Sequence, residues 1–378
     1  MNNRVKKIEI SGIRKFYNKV SQYPGAISLT LGQPDFPTPN NIKEAMVKAI
    51  DDNKTVYTPN IGIQPLRDEI SKYLLQKNIN YKSDEICITV GGSEALYIAF
   101  QGLLNEGDQI LIPNPAYPAY EAIANILGLE IIEYSLDEEF LVDINKITRL
   151  IEENNIKAMV LSYPSNPTGA ILTKELQEKL YNLLIDKDIY IISDEIYGEL
   201  IYDDEYVSLA QKEDILNKFI YISGFSKTFS MTGLRLGYIC AKSDIMKELL
   251  KVHQYSVSCA PSIVQWGVVE GLKNSMEQVE IMRNSFKHRR NYCYTRLISM
   301  GFNCSFPKGA FYIFPSIKAF NMDSESFCDA LLEEKKVACV PGRAFGSNGD
   351  HYIRISYCYS EKELEEALDK LESWTKNF

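Results

Sequence analysis

The sequence has no run of about 18 consecutive apolar residues, the length a membrane span needs, so it predicts no transmembrane helix. Its opening residues, MNNRVKKIEISGIRKF, alternate charged and apolar side chains. They lack the apolar core of a secretory leader. Histidine is scarce. His253, His288 and His351 are isolated from one another, and none sits at metal-ligand spacing from a cysteine. Cysteine is absent from the first 86 residues, and none of the eight that follow forms a C-x-x-C pair. A disulfide framework and a metal site are therefore not expected, and free thiols in a reducing cytoplasm are. Positive charge is also in deficit, with 41 Lys and Arg against 50 Asp and Glu and a net charge of −9. The basic residues are scattered singly. A nucleic-acid partner needs a concentrated positive surface and is not expected. A small anionic ligand held by a few internal cations stays open.

What is present is a long, well-mixed globular chain. Its 378 residues are enough for two domains, and 45% hydrophobic content supplies a substantial core. The middle alternates short apolar runs with helical stretches. EICITV, QILIP, KAMVLSY, IYIIS, FIYIS and GYICA read as strands buried on both faces. The spacing predicts an α/β fold: a large domain with a mainly parallel sheet sandwiched by helices. From about residue 285 the pattern changes to a long polar helix, the strand-like GAFYIFPS and HYIRISYC, and a last charged helix. That predicts a smaller α+β domain. The expected division is 1–40 as an arm joining the small domain, 41–284 as the large domain and 285–378 as the small one. No sheet-forming run is expected before residue 85.

Ligands in open α/β sheets bind beyond the carboxyl ends of the strands, so the residues after each strand carry the argument. After EICITV comes GGSEAL, a glycine turn opening a helix at Ser93 or Glu94. Its free N–H groups favour a phosphate, or it is only a tight turn. NPAYPAY offers Tyr117, either as a ring cover or as a core tyrosine. PSNPTG fixes Asn166 between two prolines, or is a simple turn. DEIY places Asp194 at an apolar strand end, where a carboxylate needs a positive partner. Tyr197 lies one helical turn further on. GFSKTFSMTGLRLG brings Lys227 and Arg235. Together these groups match the needs of pyridoxal phosphate: a lysine for the aldehyde, a carboxylate for the ring nitrogen, donors for the phenolate, and amides with an arginine for the phosphate.

The stretch GFSKTFSMTGLRLG resembles the cofactor-attachment signature of class I/II pyridoxal-phosphate aminotransferases. LGQPDFPTP (31–39), YTPNIGIQPLR (57–67), SNPTG (165–169), SDEIY (193–197) and YIRISY (352–357) are similar to that family in order and spacing. The resemblance covers essentially the whole chain and implies the fold type I architecture. It implies Lys227 as covalent anchor and proton carrier, with Asp194 on the ring nitrogen. Asn166 and Tyr197 would meet the phenolate oxygen, and Tyr117 would stack on the ring. Ser93, Glu94, Ser226, Arg235 and the partner subunit's Tyr57 would hold the phosphate. Arg354, Asn166 and the Gly32 backbone would hold the substrate's α-carboxylate. Cis bonds are implied at Asn114–Pro115 and Asn166–Pro167, as is a homodimer with shared active sites.

Two positions depart from the pattern. Gly224 stands where parts of the family have serine. KVHQYSVSCAP (251–261) has no arginine where some aspartate aminotransferases carry one for the substrate side chain. The activity implied is amino transfer between an L-amino acid and a 2-oxo acid by a ping-pong route. ISGIRKF, VHQYSVSCA and GAFYIFPSIK resemble enzymes acting on N-acetyl-diaminopimelate. Aspartate and aromatic amino acids stay open as donors. So do a same-fold C–S β-lyase and a non-catalytic pyridoxal-phosphate regulator, although the chain leaves no room for a DNA-binding domain ahead of residue 32.

Overall fold

The computed structural model describes residues 1–376 and 378. Its first strand, β1 (Ile27–Ser28), is a two-residue piece. The next seven strands build the main sheet: β2 (Ile86–Thr89), β3 (Gln109–Asn114), β4 (Glu130–Ser135), β5 (Ile156–Ser162), β6 (Tyr190–Asp194), β7 (Phe219–Gly224) and β8 (Gly237–Cys240). Their order is β2-β8-β7-β6-β5-β3-β4, and every pairing is parallel except the two made by β8. The central strands are Ile- and Val-rich and buried on both faces, as a helix-covered sheet requires. Core clusters on the two sides of the sheet fix the helices that cover it.

β4 is a strand the apolar runs do not reveal. It lies at the sheet edge, where Glu130 and Glu133 break the hydrophobic pattern. Charges of this kind protect an edge from further pairing.

The remaining strands are β9 (Tyr312–Ile313), β10 (Val337–Ala338), β11 (Val340–Pro341) and β12 (Ile353–Ser356). They form a separate layer, with antiparallel order β11-β12-β9 and β1 parallel to β10. The expectation of no sheet-forming run before residue 85 is corrected by β1. Two residues are too few for a period-two pattern, and their partner lies near the other end of the chain. Phe16, Val20 and Leu29 share one apolar cluster with Phe286, Phe327 and Trp374, so the N-terminal segment packs with the C-terminal third. The helix Met276–Ser299 runs straight through the expected boundary at 284/285.

The rim that matters is set by strand direction. Ser162 and Asp194 are register partners on the last rung of β5 and β6. β8 runs the opposite way, so its first residue, Gly237, pairs with Gly224 at the end of β7 and with Thr89 at the end of β2. Arg235 just before β8, Lys227 just after β7 and the helix starting at Gly91 thus meet at one edge. Gly237 makes that convergence possible. A Cβ there would stand 2.6 Å from the Gly91 carbonyl carbon.

Candidate active site

A cavity of about 600 Å³ opens at this rim. Lys227 enters it from the single helical turn Phe225–Thr228. Its Nζ donates to the Gly32 carbonyl at 2.6 Å. Gly32 admits no side chain, because a Cβ there would overlap the Tyr312 hydroxyl at 1.9 Å. Burial pushes the Lys227 amine down to about 8; the fields of Arg235 and Arg354 add to this and the nearby Cys358 opposes it. The neutral, nucleophilic amine therefore appears as pH rises through about 8. In the cofactor-free protein, labelling of Lys227 by a small aldehyde is expected to rise roughly tenfold per pH unit below that point and then flatten. An ordinary lysine would keep rising to about pH 10. Peptide mass spectrometry across pH measures this. A Lys227 profile like that of surface lysines would contradict it.

Asp194 ends β6, buried. One carboxylate oxygen accepts from the Tyr120 hydroxyl at 2.7 Å, the other from the Ile196 N–H at 3.2 Å. Burial pushes its carboxyl up, and these two hydrogen bonds pull it back. No described residue forms an ion pair with it. A buried carboxylate without a cation is costly unless a ligand supplies one. Its setting suits a protonated ring nitrogen.

Arg354 comes from β12. The strand's alternation places Ile353 and Ile355 in the apolar cluster of the C-terminal third and turns the arginine into the cavity. It is only 1% exposed. One Nη donates to Asn166 Oδ1 at 2.8 Å and the other to the Thr30 carbonyl at 2.6 Å. Its Nε is buried with no partner. The rings of Tyr312 and Phe345 flank the guanidinium at 4.3 and 4.9 Å. A planar cation with an unused N–H in a closed wall is suited to a carboxylate.

Opposite, the helix Gly91–Leu103 points its first turn at the cavity through Gly92 and Ser93. Gly91 takes φ +76°, and a Cβ there would meet an Arg235 Nη at 2.8 Å. The guanidinium thus lies against the helix start, adding its charge to the free N–H groups. Ser226 closes this end, and Tyr117 stands edge-on to Tyr120 at 5.7 Å. Tyr197 shares a 2.9 Å hydrogen bond with Tyr312.

Ten of the twelve expected site residues therefore line one cavity: Gly32, Ser93, Tyr117, Asn166, Asp194, Tyr197, Ser226, Lys227, Arg235 and Arg354. Two do not. The Glu94 side chain turns away. One of its oxygens meets the buried His253 at 2.8 Å, while the other accepts from the Val90 N–H. One residue further around the helix than Ser93, its carboxylate avoids the anion cradle, where it would repel a phosphate. Tyr57 is 89% exposed and lies in a surface hollow beside Val90 and Cys259. The turn Asp194–Tyr197 is also not helical, although both side chains reach the cavity.

Sequence reasoning missed Tyr120, Ser162, Tyr312 and the pair Ile13 and Arg14. Tyr120 stands three residues after Tyr117 in NPAYPAY, a spacing that does mark one helix face. The peptide bonds Asn114–Pro115 and Asn166–Pro167 are cis as expected, as is Tyr163–Pro164.

An α/β sheet with a lysine, an unpaired carboxylate and an anion cradle at its switch edge defines a lysine-centred group-transfer enzyme. Residues 24–371 match the family model for aminotransferase class I and II. The chain belongs to that family and is an aminotransferase. It is 46% identical to the probable N-acetyl-LL-diaminopimelate aminotransferase of Bacillus subtilis, over 98% of this chain and 95% of that protein. It is 40% identical to the aspartate aminotransferase of Pyrococcus horikoshii, over 98% and 95%. The crystal structure of the aromatic aminotransferase from Pyrococcus horikoshii superposes with a TM-score of 0.91 at 36% identity, over 96% of this chain and 99% of that one.

Proposed function

We propose that this cavity holds pyridoxal 5′-phosphate and that the enzyme exchanges amino groups between an L-amino acid and a 2-oxo acid in two half-reactions. The observation that carries the reading is the lone buried Asp194 facing a cavity that also contains Lys227. When bound, the cofactor supplies an aldehyde for the amino group and a ring that accepts the electron pair left on the substrate's Cα.

The chain's own residues do the rest. Asp194 holds the ring nitrogen's proton, and burial keeps water from competing for that contact. Asn166 and Tyr197 bind the phenolate oxygen. Gly92, Ser93, Ser226 and Arg235 bind the phosphate. Arg354 orients the α-carboxylate, so the Cα–H bond faces Lys227. The Lys227 amine would take the Cα proton and return it to the former aldehyde carbon, on the other side of the transferred nitrogen. General acid–base transfer of this kind is worth about 10²–10⁴-fold. Eight unpaired cysteines are in keeping with a cytoplasmic setting. A donor screen with 2-oxoglutarate as acceptor tests the reading. N-acetyl-LL-diaminopimelate, the substrate named for the Bacillus subtilis relative, heads that screen, with aspartate and phenylalanine beside it. Glutamate formation from at least one donor is expected, and none from any would refute it.

The exposed Tyr57 is the strongest support for a dimer. A ring this bare, next to the exposed Val56, fits a face covered by a second copy. Its hydroxyl would donate to the neighbour's phosphate, a charge-assisted contact worth about 1.5–3 kcal/mol. Tyr57→Phe is expected to weaken cofactor retention about 10-fold or more, with the dimer intact by light scattering. An active wild-type monomer at assay concentration would contradict this arrangement.

A further inference from the structure

Cations outnumber carboxylates in the cavity. Lys227, Arg235, Arg354 and Arg14 line it, against Asp194 alone. Under the function proposed above, Lys227 meets the aldehyde, Arg235 the phosphate and Arg354 the α-carboxylate. Arg14 is left over. It is exposed, and no described residue makes an ion pair or hydrogen bond with its side chain.

Its position is fixed all the same. Arg14 lies in the first turn of the helix Gly12–Val20. A Cβ on Gly12 would stand 2.7 Å from the Ala344 Cβ, so the helix start rests directly on the segment Gly342–Phe345. The Phe345 ring in turn flanks the Arg354 guanidinium. Ile13 packs against the large-domain core and also lines the cavity. These contacts tie Arg14 to the wall that carries the α-carboxylate clamp. Helix stability does not explain the residue. A cation in a first turn opposes the helix dipole, and this first turn has no acidic residue to offset it.

We propose that Arg14 binds a second carboxylate, at the far end of the donor's side chain. The enzyme then acts on amino acids that carry a distal carboxylate rather than on aromatic ones. This rests on the aminotransferase chemistry proposed for the same cavity. The segment 251–261 supplies no arginine, so a distal anion must find its cation elsewhere, and Arg14 is the unpartnered one. A planar guanidinium receives a carboxylate by two parallel hydrogen bonds.

The test uses cofactor-loaded wild type, Arg14→Met and Arg14→Lys. Donors are aspartate, glutamate and 2-aminopimelate, against norleucine and phenylalanine. Wild type is expected to favour a dicarboxylic donor. In Arg14→Met, the ratio of kcat/KM for dicarboxylic over monocarboxylic donors is expected to fall about tenfold, or ~1.4 kcal/mol. Arg14→Lys should fall between, since it keeps the charge and loses the fork. The effect should shrink in high salt, because the contact is exposed. Calorimetric binding of pimelate should weaken in parallel, and that of butyrate should not. An unchanged ratio in Arg14→Met, unchanged pimelate binding, or a wild-type preference for phenylalanine would overturn the proposal. Wild type that converts no donor would instead refute the aminotransferase chemistry, while pimelate binding would still report on Arg14.

Discussion

Lys227→Ala is expected to remove turnover, lowering kcat by more than about 10³-fold. In the proposed mechanism the amine anchors the cofactor and moves the Cα proton. Proton transfer alone accounts for about 10²–10⁴-fold. The fold should survive. Lys227 projects into the cavity rather than into the core, and its hydrogen bond to the Gly32 carbonyl is worth about 0.5–1.5 kcal/mol net. Cofactor should still bind through Asp194, Arg235 and the helix start at Gly91, without a covalent link. Steady-state assay, thermal unfolding and borohydride trapping separate these effects. Near-normal transamination by the variant would remove Lys227 from the chemistry. A collapsed fold would show that the side chain has a packing role this structure does not give it.

Arg354→Lys is expected to lower kcat/KM for every amino acid by at least about 30-fold, or ~2 kcal/mol. The guanidinium is closed off from water and holds Asn166 and the Thr30 carbonyl, and its Nε has no partner in the protein. Lysine offers one point charge and cannot span those partners. Truncating one member of a buried, hydrogen-bonded charge pair costs about 2–5 kcal/mol, against about 0–1 for an exposed ion pair. Amines without a carboxylate should lose much less. Asn166 also loses a partner, so a small drop in cofactor affinity should accompany the change. Equal losses for amino acids and simple amines would reject Arg354 as the carboxylate clamp.

The two arginines form a contrast that the sequence shows only in part. Arg354 was legible, because strand alternation in YIRISY turns it away from the two isoleucines. Arg14 was not. The opening residues around it only alternate charged and apolar side chains, and the contact of Gly12 with Ala344 is what brings it to the cavity. The same division runs through the fold. β5, β6 and β7 announce themselves as apolar runs because both faces are covered. β4 is hidden by its edge glutamates, and β1 by having two residues and a distant partner.

Within the site, residues just after strands were readable because the sheet delivers them to one rim. Tyr312 was not, since its role depends on a hydroxyl that sits over Gly32 from a distant part of the chain. Glu94 was expected at the phosphate through the helix start, and the geometry turns only its side chain away. Ser93 and Glu94 are adjacent in sequence but about 100° apart around a helix. One faces the cavity and the other faces His253.

The central claim is that Lys227 and Asp194 serve a cofactor that stores the amino group between two half-reactions. The direct measurement mixes cofactor-loaded enzyme with an excess of its best amino donor and no 2-oxo acid. The account predicts about one equivalent of 2-oxo acid per protomer, a matching change in cofactor absorbance, and then no further product until a 2-oxo acid is added. Continued release of oxo acid and ammonia without an acceptor, or no product at all, would contradict it.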